Sequence, residues 1–533
     1  MMQGFSRVLV RGLLAAALLG GTASAALAEM VLNVGNGAEP ETLDIQKSTG
    51  VTEANIQNDL FEGLLTNDAR SQPVPGAAES WTVSDDGKTY TFKLRADGKW
   101  SDGTPVTAGD FVFAWKRLLD PKTASPYGFF IDRVVDAREI RLGEKPADTL
   151  GVKAVDDHTL EVTLVGPTPY FLATLTHHAT FPLSRANVEK FGDEYIKPGN
   201  LVSNGAYKLT EAVPQSHVTL VRNPEFHDAA DVKIDTVRYF VTEDVDAELQ
   251  RFKAGELDYT YTIPGQQIPE LKQTMPDQVR IAPYVGTYYY AVNLTHEPWK
   301  SHPELRRALS LAIDRDVLVN KITQAGELPA YTFVPAGMSN FAAWSPKEAG
   351  ETQAQRDAEA KDLLAKAGYG PDKPLAVDIT YNTSESHKKI AVAIAAMWKQ
   401  KLGVATTLTN LEWGTMQSGL RKKDYKDFNR TSWIGDFDDP SNFLDLFRST
   451  AGEQNYPGYA NPAYDTLMDD AAKEADLGKR GEILAKAEQM FLTDQPIIPI
   501  YVYTSKRMLS PAVKGWQDNV LDNHLSRWLT VER

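Results

Sequence analysis

The chain has 533 residues, a formal net charge of −15, no cysteine and a hydrophobic fraction of 42%. The acidic balance argues against nucleic acid as a partner. The absence of cysteine excludes disulfides, thiolate metal sites and a lipid-acceptor cysteine. A chain of this length and composition can bury several hydrophobic cores, so we expect two or three domains.

The first 28 residues have the pattern of a cleavable export signal. Arg7 and Arg11 give a basic start, an apolar run follows from Leu13 to Leu19, and Ala26-Leu27-Ala28 is a small-x-small cleavage site. The apolar run is shorter than the ~20 residues of a membrane helix, and no later segment approaches that length. The sequence therefore predicts a soluble, non-lipidated protein that begins at Glu29 and lies in the periplasm of a double-membraned bacterium.

The first half of the mature chain mixes strands with a few helices. Alternation and β-branched content predict strands at 30–34, 89–95, 159–164, 218–221 and 237–241, and apolar spacing predicts a helix at 51–64. Asp86-Gly87 and Asp102-Gly103 are type I′ turn signals. Thr107 with Asp110 resembles a capping box that opens a helix with an apolar stripe from Phe111 to Leu118.

The second half favours α/β structure. Helices are predicted at 303–314, 354–367 and 387–401, and strands at 376–381, 405–411 and 428–433. The order of elements suggests that the chain passes back and forth between α/β and α+β lobes.

An acidic residue stands among aromatics where the last of these strands ends. Asp436 lies between Trp433 and Phe437, and Gly435 and Pro440 mark the end of the strand. A carboxylate beside aromatic rings is partly desolvated and requires a cation, which a ligand ammonium would supply if no protein side chain does. The alternative is a turn aspartate that caps a helix beginning near 439–441.

Short sequence motifs over most of the mature chain resemble those of a known family, the periplasmic oligopeptide-binding proteins of ABC importers, the peptide branch of the family 5 solute-binding proteins. The motifs are LFEGLL (60–65), AESW (78–81), KWSDGTPVTA (99–108), TASPY (123–127), DDHTLEVTL (156–164), TYYY (287–290), NTS (382–384) and HKK (387–389).

The resemblance implies a three-domain, periplasmic-binding-protein-like fold in which two lobes close on a hinge. The first lobe would comprise 29–61, 187–285 and 503–533, an inserted second domain 62–186, and the third lobe 286–502. The implied function is a monomeric receptor that binds short peptides between the first and third lobes and delivers them to an inner-membrane ABC permease. It implies no membrane-embedded segment in the mature protein.

A receptor for many peptides must contact what all peptides share: the α-amino group, the backbone and the carboxylate. Asp436 resembles the family's anchor for the α-ammonium group, and Tyr127 resembles the tyrosine that helps hold it. Thr431, Ser432 and Trp433 offer extended backbone against which a peptide could pair. Val51 lies beside the expected peptide path.

The resemblance also implies residues for the carboxylate end and for the cavity walls. The basic candidates are Arg421, Arg430 and His387. Alternatives are a solvated face for Arg421, a structural salt bridge for Arg430 and a helix cap for His387. The aromatic candidates, which could equally be core residues, are Trp413, Trp433, Tyr289 and Tyr503.

The chain departs from the family's pattern at three positions. Gly286 and Ile434 stand where better-known members carry a pair of cysteines, so the link between those strands is lost. Thr49 replaces an acidic residue two positions before Val51, which removes the basis for expecting a preference for basic side chains at that wall.

Enzymatic and metal-binding patterns are absent from the sequence. We find no Gly-x-Ser-x-Gly elbow, no His-Glu-x-x-His helix and no phosphate-binding glycine loop, and we expect no cofactor. His177 and His178 are adjacent and would point apart on a regular element. Asp436-x-Asp438 does not continue as a calcium loop, because Phe447 stands at the position of the bidentate glutamate. Two alternatives to a receptor for many peptides remain. One is a receptor of the same fold with a narrower ligand, such as a dipeptide, a murein peptide or a nickel chelate, and the other is a secreted hydrolase that uses acidic residues.

Overall fold

The computed structural model of the protein describes residues 29–338, 341 and 344–533, so the predicted export signal at 1–28 lies outside the described residues. The strands are β1 (Val31–Gly35), β2 (Leu65–Asn67), β3 (Pro73–Pro75), β4 (Ala78–Val83), β5 (Thr89–Leu94), β6 (Val152–Asp156), β7 (Thr159–Thr163), β8 (Tyr207–Val213), β9 (His217–Arg222), β10 (Thr236–Phe240), β11 (Val279–Val292), β12 (Leu328–Pro329), β13 (Ala376–Asn382), β14 (Ala405–Leu411), β15 (Phe428–Ile434), β16 (Ile497–Met508), β17 (Val513–Lys514) and β18 (Thr530–Val531).

The α-helices are α1 (Val51–Leu60), α2 (Ala108–Leu119), α3 (Ala137–Arg141), α4 (Phe171–Thr174), α5 (Arg185–Phe191), α6 (Val245–Lys253), α7 (Ile268–Thr274), α8 (Pro303–Leu311), α9 (Arg315–Val317), α10 (Gln353–Lys366), α11 (Glu385–Leu402), α12 (Trp413–Lys422), α13 (Ser441–Leu444), α14 (Pro462–Lys473) and α15 (Leu477–Asp494). Apart from shifts of a few residues at their ends, the predicted strands and helices are present.

Three sheets organise these elements. Sheet A has the order β1-β10-β9-β8, with β1 parallel to β10, and sheet B is an antiparallel sheet of order β4-β5-β7-β6. Sheet C has the order β12-β16-β11-β15-β13-β14 and mixes parallel and antiparallel pairs. The predicted combination of α/β and α+β structure is confirmed.

Two long strands connect sheet C to the helices beside sheet A. β11 and β16 pair antiparallel over most of their length, with a register shift between Pro283 and Thr287. Residues 286–292 of β11 also pair with β15 within sheet C, whereas Met508, at the C-terminal end of β16, packs in a small core with Leu249 of α6 and Leu271 of α7. Sheet C and helices α6 and α7 are therefore joined by a two-stranded ribbon with an irregularity in its middle.

Helix α2 begins and packs as its sequence predicts. The Thr107 N–H donates to Asp110 Oδ2 at 2.8 Å, which completes the capping box. The stripe of Phe111, Trp115 and Leu118 is buried. Capping and apolar spacing thus agree on the same helix, which packs in the main core.

Two local predictions are wrong. The helix predicted at 51–64 ends at Leu60, because the backbone of Glu62 bonds to the side chain of Asn204 instead of continuing the helix: Glu62 N–H donates to Asn204 Oδ1, and Asn204 Nδ2 donates to Glu62 O. The turns at Gly87 and Gly103 are not type I′, since only the glycine of each pair has a positive φ.

Candidate functional site

A cavity of about 500 Å³ lies where the parts of the molecule that carry sheets A, B and C meet. Most of the predicted binding residues line it. They are Val51, Tyr127, His387, Trp413, Arg430, Thr431, Ser432, Trp433, Asp436 and Tyr503. The cavity thus brings together residues that are far apart in the chain.

Strand β15 presents an open edge to this cavity. It pairs with β11 along its whole length, but β13 covers its other edge only at Phe428 and Asn429. The Gly435 N–H donates to the carbonyl of Val285 on the β11 side, and in an antiparallel pair the direction of the backbone groups alternates. The backbone groups of Ser432 and Ile434 therefore point toward the open edge, where an extended chain can pair with them.

The side chain of Asp436 is held in one orientation at the end of β15. Asn442 Nδ2 donates to Asp436 Oδ2 at 3.1 Å, and the Asp436 N–H donates to Asn442 Oδ1 at 3.0 Å. The same amide oxygen accepts from Trp433 Nε1 at 2.8 Å. Asp436 does not cap the following helix α13, whose N-cap is Pro440. The turn-cap alternative is thereby wrong.

Aromatic rings from the part of the chain that contains sheet B close over this carboxylate. His177 Nε2 lies 3.3 Å from Asp436 Oδ1. The Tyr127 ring lies 4.4 Å from the His177 ring and 6.2 Å from the Trp433 ring, measured between centroids. Burial and the Asp436 charge raise the pKa of the Tyr127 phenol well above its usual value, so the phenol keeps its proton as a donor.

Arg430 lies on the same strand and lacks an anionic partner. Its Nη1 donates to Asn382 Oδ1 at 3.2 Å and its Nη2 to Tyr503 Oη at 3.0 Å, and the guanidinium lies 4.8 Å from the centre of the Tyr288 ring. Its Nε is buried without a hydrogen bond. The groups that act on its charge are tyrosine phenols, and no carboxylate of the described residues lies within 4 Å of it, so the predicted alternative of a structural salt bridge is wrong.

His387 adds a second polar group at this end of the cavity. Its N–H donates to Ser384 Oγ, so Ser384 is the residue whose side chain caps α11 and His387 does not cap it. Burial and the neighbouring Arg430 charge hold the pKa of the His387 imidazole well below its usual value. Its Nδ1 is buried without a partner, which leaves it available to a ligand or to water.

Two predicted residues do not line the cavity. Arg421 pairs with Glu41 at 2.9 Å and lies 3.9 Å from Glu453, so it is an ion-pair residue rather than part of a solvated face. Tyr289 packs against Phe333 on the side of sheet C opposite to Arg430, because side chains alternate along a strand. Peptide contact by either residue stays a prediction.

Gly286 and Ile434 are direct register partners on β11 and β15. A Cβ on Gly286 would lie only 2.5 Å from Ile434 Cδ1, so the isoleucine side chain fills the space above the glycine. The two strands are thus held by packing and backbone hydrogen bonds at the place where, by the family resemblance, better-known members carry a cysteine pair.

Two residues of the site, His177 and Asn442, did not emerge from the sequence. The prediction that His177 and His178 point apart is wrong, because His177 precedes a short 3-10 helix that begins at His178 and their ring centroids are 4.0 Å apart. Both line the cavity. The paired histidines were the available signal for His177, whereas nothing in the local pattern marked Asn442.

Metal and membrane features were searched across residues 29–338, 341 and 344–533. No group of three or more potential His, Asp or Glu ligands in that part of the chain is arranged to hold a metal ion. Over the same residues, none of the helices combines the length and apolarity that crossing a membrane requires.

Comparison with known proteins gives consistent results. The model of the bacterial extracellular solute-binding proteins, family 5 Middle, matches residues 72–455. The periplasmic oligopeptide-binding protein OppA of Salmonella typhimurium is 44% identical over 492 residues, covering 92% of this chain and 90% of OppA.

Solved structures with the same periplasmic-binding-protein-like fold extend the match. The Escherichia coli murein tripeptide binding protein MppA superposes with a TM-score of 0.92 at 39% identity, covering 95% of this chain and 99% of MppA. Haemophilus influenzae OppA in complex with RPPGFSPFR also has a TM-score of 0.92, at 37% identity and with the same coverage. The unliganded open form of MppA, which covers 95% of this chain and 98% of its own, gives only 0.67. The structure therefore superposes less well on that open form than on the other two solved structures.

Proposed function

Because the chain belongs to the bacterial extracellular solute-binding proteins of family 5, we propose that it is a periplasmic receptor that captures short peptides and delivers them to an ABC permease. The observation that carries this proposal is the placement of Asp436 and Arg430 in one cavity, on one strand with an open edge. The ligand that fits has an ammonium group at one end, a carboxylate at the other and amide groups between them. An extended short peptide meets all three requirements.

The spacing of the two charges agrees with short peptides. Six residues of extended strand span at most about 20 Å, which sets the upper limit for the distance between the backbones of Arg430 and Asp436. Both side chains reach toward the ligand, so peptides shorter than six residues can contact both ends. Between the ends, Ser432 and Ile434 offer backbone groups for pairing in the manner of an added strand.

We assign three parts to the molecule as the family resemblance implies: 29–61 with 187–285 and 503–533, then 62–186, then 286–502. β11 and β16 are the two strands that cross from the first part to the third, and the register shift after Pro283 lies at that crossing. The proposed hinge is this ribbon. Its bending would separate Asp436 and Arg430 from Val51 and open the cavity to peptide.

The receptor is further proposed to be a monomer that is exported by its signal, cleaved before Glu29 and not lipidated. The relatives named above are described as periplasmic, and the chain contains no cysteine. Intact mass of the protein from a periplasmic extract tests this. A mass that retains residues 1–28, or that carries a diacylglycerol increment, would contradict it.

Native mass spectrometry of the protein purified from cells tests the ligand class. A ladder of co-purified peptide masses is the expected result. A single mass or a metal chelate would instead support a narrower ligand, of which a murein peptide is the one that the similarity to MppA favours. An empty protein that consumes a peptide substrate would contradict the proposal and support the hydrolase alternative.

A further inference from the structure

His177 contacts Asp436 from a part of the chain that the sequence did not connect with the ligand. Its Nε2 lies 3.3 Å from Asp436 Oδ1, and only 8% of the residue is exposed. Its ring is held between Phe130, at a centroid distance of 4.6 Å, and His178, at 4.0 Å. The imidazole therefore has one orientation, and that orientation directs Nε2 at the carboxylate.

The hydrogen bond at the second ring nitrogen, Nδ1, determines which nitrogen of the imidazole carries the proton. The Ala179 N–H donates to His177 Nδ1 at 3.2 Å. A nitrogen that accepts a hydrogen bond has no proton, so the proton of this ring lies on Nε2, which is 3.3 Å from Asp436 Oδ1. His177 is then a neutral donor, and the negative charge of Asp436 is not cancelled by it.

We infer that His177 is a positioning residue for the amino-terminal anchor: it orients the Asp436 carboxylate toward a ligand ammonium group while leaving its charge free. The inference rests on the proposed function. Asn442 fixes Oδ2 from one side and His177 fixes Oδ1 from the other, so the carboxylate cannot rotate. A cationic side chain in place of His177 would pair with Asp436 and compete with the ligand, which is why a neutral donor suits this position.

Two substitutions separate positioning from a structural role. His177→Gln places an amide N–H where Nε2 lies and loses the acceptor for Ala179. His177→Asn has the opposite effect, because its shorter side chain reaches Ala179 but not Asp436. His177→Phe keeps a ring and removes both contacts. His227, whose buried side chain places Nε2 2.7 Å from Glu62 Oε2 and does not line the cavity, provides the matched control as His227→Gln.

The measurement is calorimetric binding of trialanine and of N-acetyl-trialanine to the full mature chain after endogenous ligand is removed, with thermal unfolding of each variant. His177→Phe and His177→Asn should weaken trialanine about tenfold or more, since the N–H contact that orients the charged carboxylate is lost. They should change the acetylated peptide much less, and His177→Gln should recover most of the loss. His227→Gln should affect both peptides by the same factor.

The inference is overturned if Asn recovers binding and Gln does not, because His177 would then act only on the turn at Ala179. Equal weakening of both peptides by His177→Phe also overturns it, while the peptide-binding function would stand. If the wild type binds neither peptide, the proposed function is wrong and the role of His177 falls with it. Should His177→Phe not fold, the comparison of Gln with Asn decides alone.

Discussion

At the Asp436 end of the cavity both carboxylate oxygens have a polar neighbour: Asn442 donates a hydrogen bond to Oδ2, His177 Nε2 lies 3.3 Å from Oδ1, and aromatic rings enclose the group. At the Arg430 end the guanidinium has only neutral partners, and its Nε and the Nδ1 of His387 are buried without hydrogen bonds. One end thus fixes a single geometry, whereas the other leaves polar groups for water or for ligand atoms in several positions. A receptor that anchors every peptide by its amino end and tolerates different lengths at the other end requires this asymmetry.

The largest expected effect comes from Asp436→Asn, which keeps the side-chain shape and removes the charge. A ligand ammonium is then buried without its counter-charge, which should cost about 2 to 5 kcal/mol for free tripeptides of any sequence. N-acetylated peptides should bind the wild type poorly and lose far less. Calorimetry on the two-by-two set isolates the coupling. Equal losses of binding free energy for both peptides would show that Asp436 is not the amino-end anchor and that the two ends of the cavity do not differ in this way.

Arg430→Gln is the matching change at the other end. It should weaken tripeptides by about 1.5 to 3 kcal/mol, because hydrogen bonds between charged groups are lost. The loss should be smaller than for Asp436→Asn, since water can replace part of the contact. Peptides with a C-terminal amide serve as the control and should lose little. A loss in the amidated series as large as in the free series would show that Arg430 is only structural.

Asn442→Ala tests the comparison between the two ends by removing the side chain that holds Asp436 in place. The Trp433 and Asp436 N–H groups would both lose their acceptor, and leaving a buried donor unsatisfied should lower the free energy of unfolding by about 1 to 3 kcal/mol. Chemical denaturation of the ligand-free protein measures this. Free tripeptides should also bind more weakly than to wild type, and acetylated peptides should be the less affected. An unchanged unfolding midpoint would mean that the turn does not depend on Asn442.

The smallest expected effect is a pH dependence of stability, which arises at both ends of the cavity from His178 and His387. Burial, joined at His387 by the charge of Arg430, holds the pKa of both imidazoles well below 6.5. The unfolded chain takes up these protons below pH 6.5 and the folded chain does not, so their contribution to stability is complete above that pH and declines as pH falls. Each histidine contributes at most about 1.4 kcal/mol per pH unit.

Thermal unfolding between pH 7 and pH 5.5 tests this titration. His178→Gln and His387→Gln should each lose less stability over the interval than the wild type does. A variant with the same pH dependence as the wild type would show that its histidine is protonated in the folded protein, and the two ends would then differ in this respect as well.

The sequence by itself determined the local structure of the chain. Apolar periodicity and capping predicted α2, and β-branched content with the following Gly435 placed Asp436 at the end of β15, because such signals lie within a few residues of one another. The motifs also led to the family, and through it to most residues that line the cavity.

Only the tertiary structure decided which distant groups meet. His177 contacts Asp436, and Arg421 forms an ion pair with Glu41 instead of lining the cavity. Helix α1 ends where the Glu62 backbone bonds to the side chain of Asn204. These contacts join residues more than a hundred positions apart, so no local pattern encodes them. The free edge of β15 has the same origin, since it exists because β13 stops pairing with β15 after Asn429.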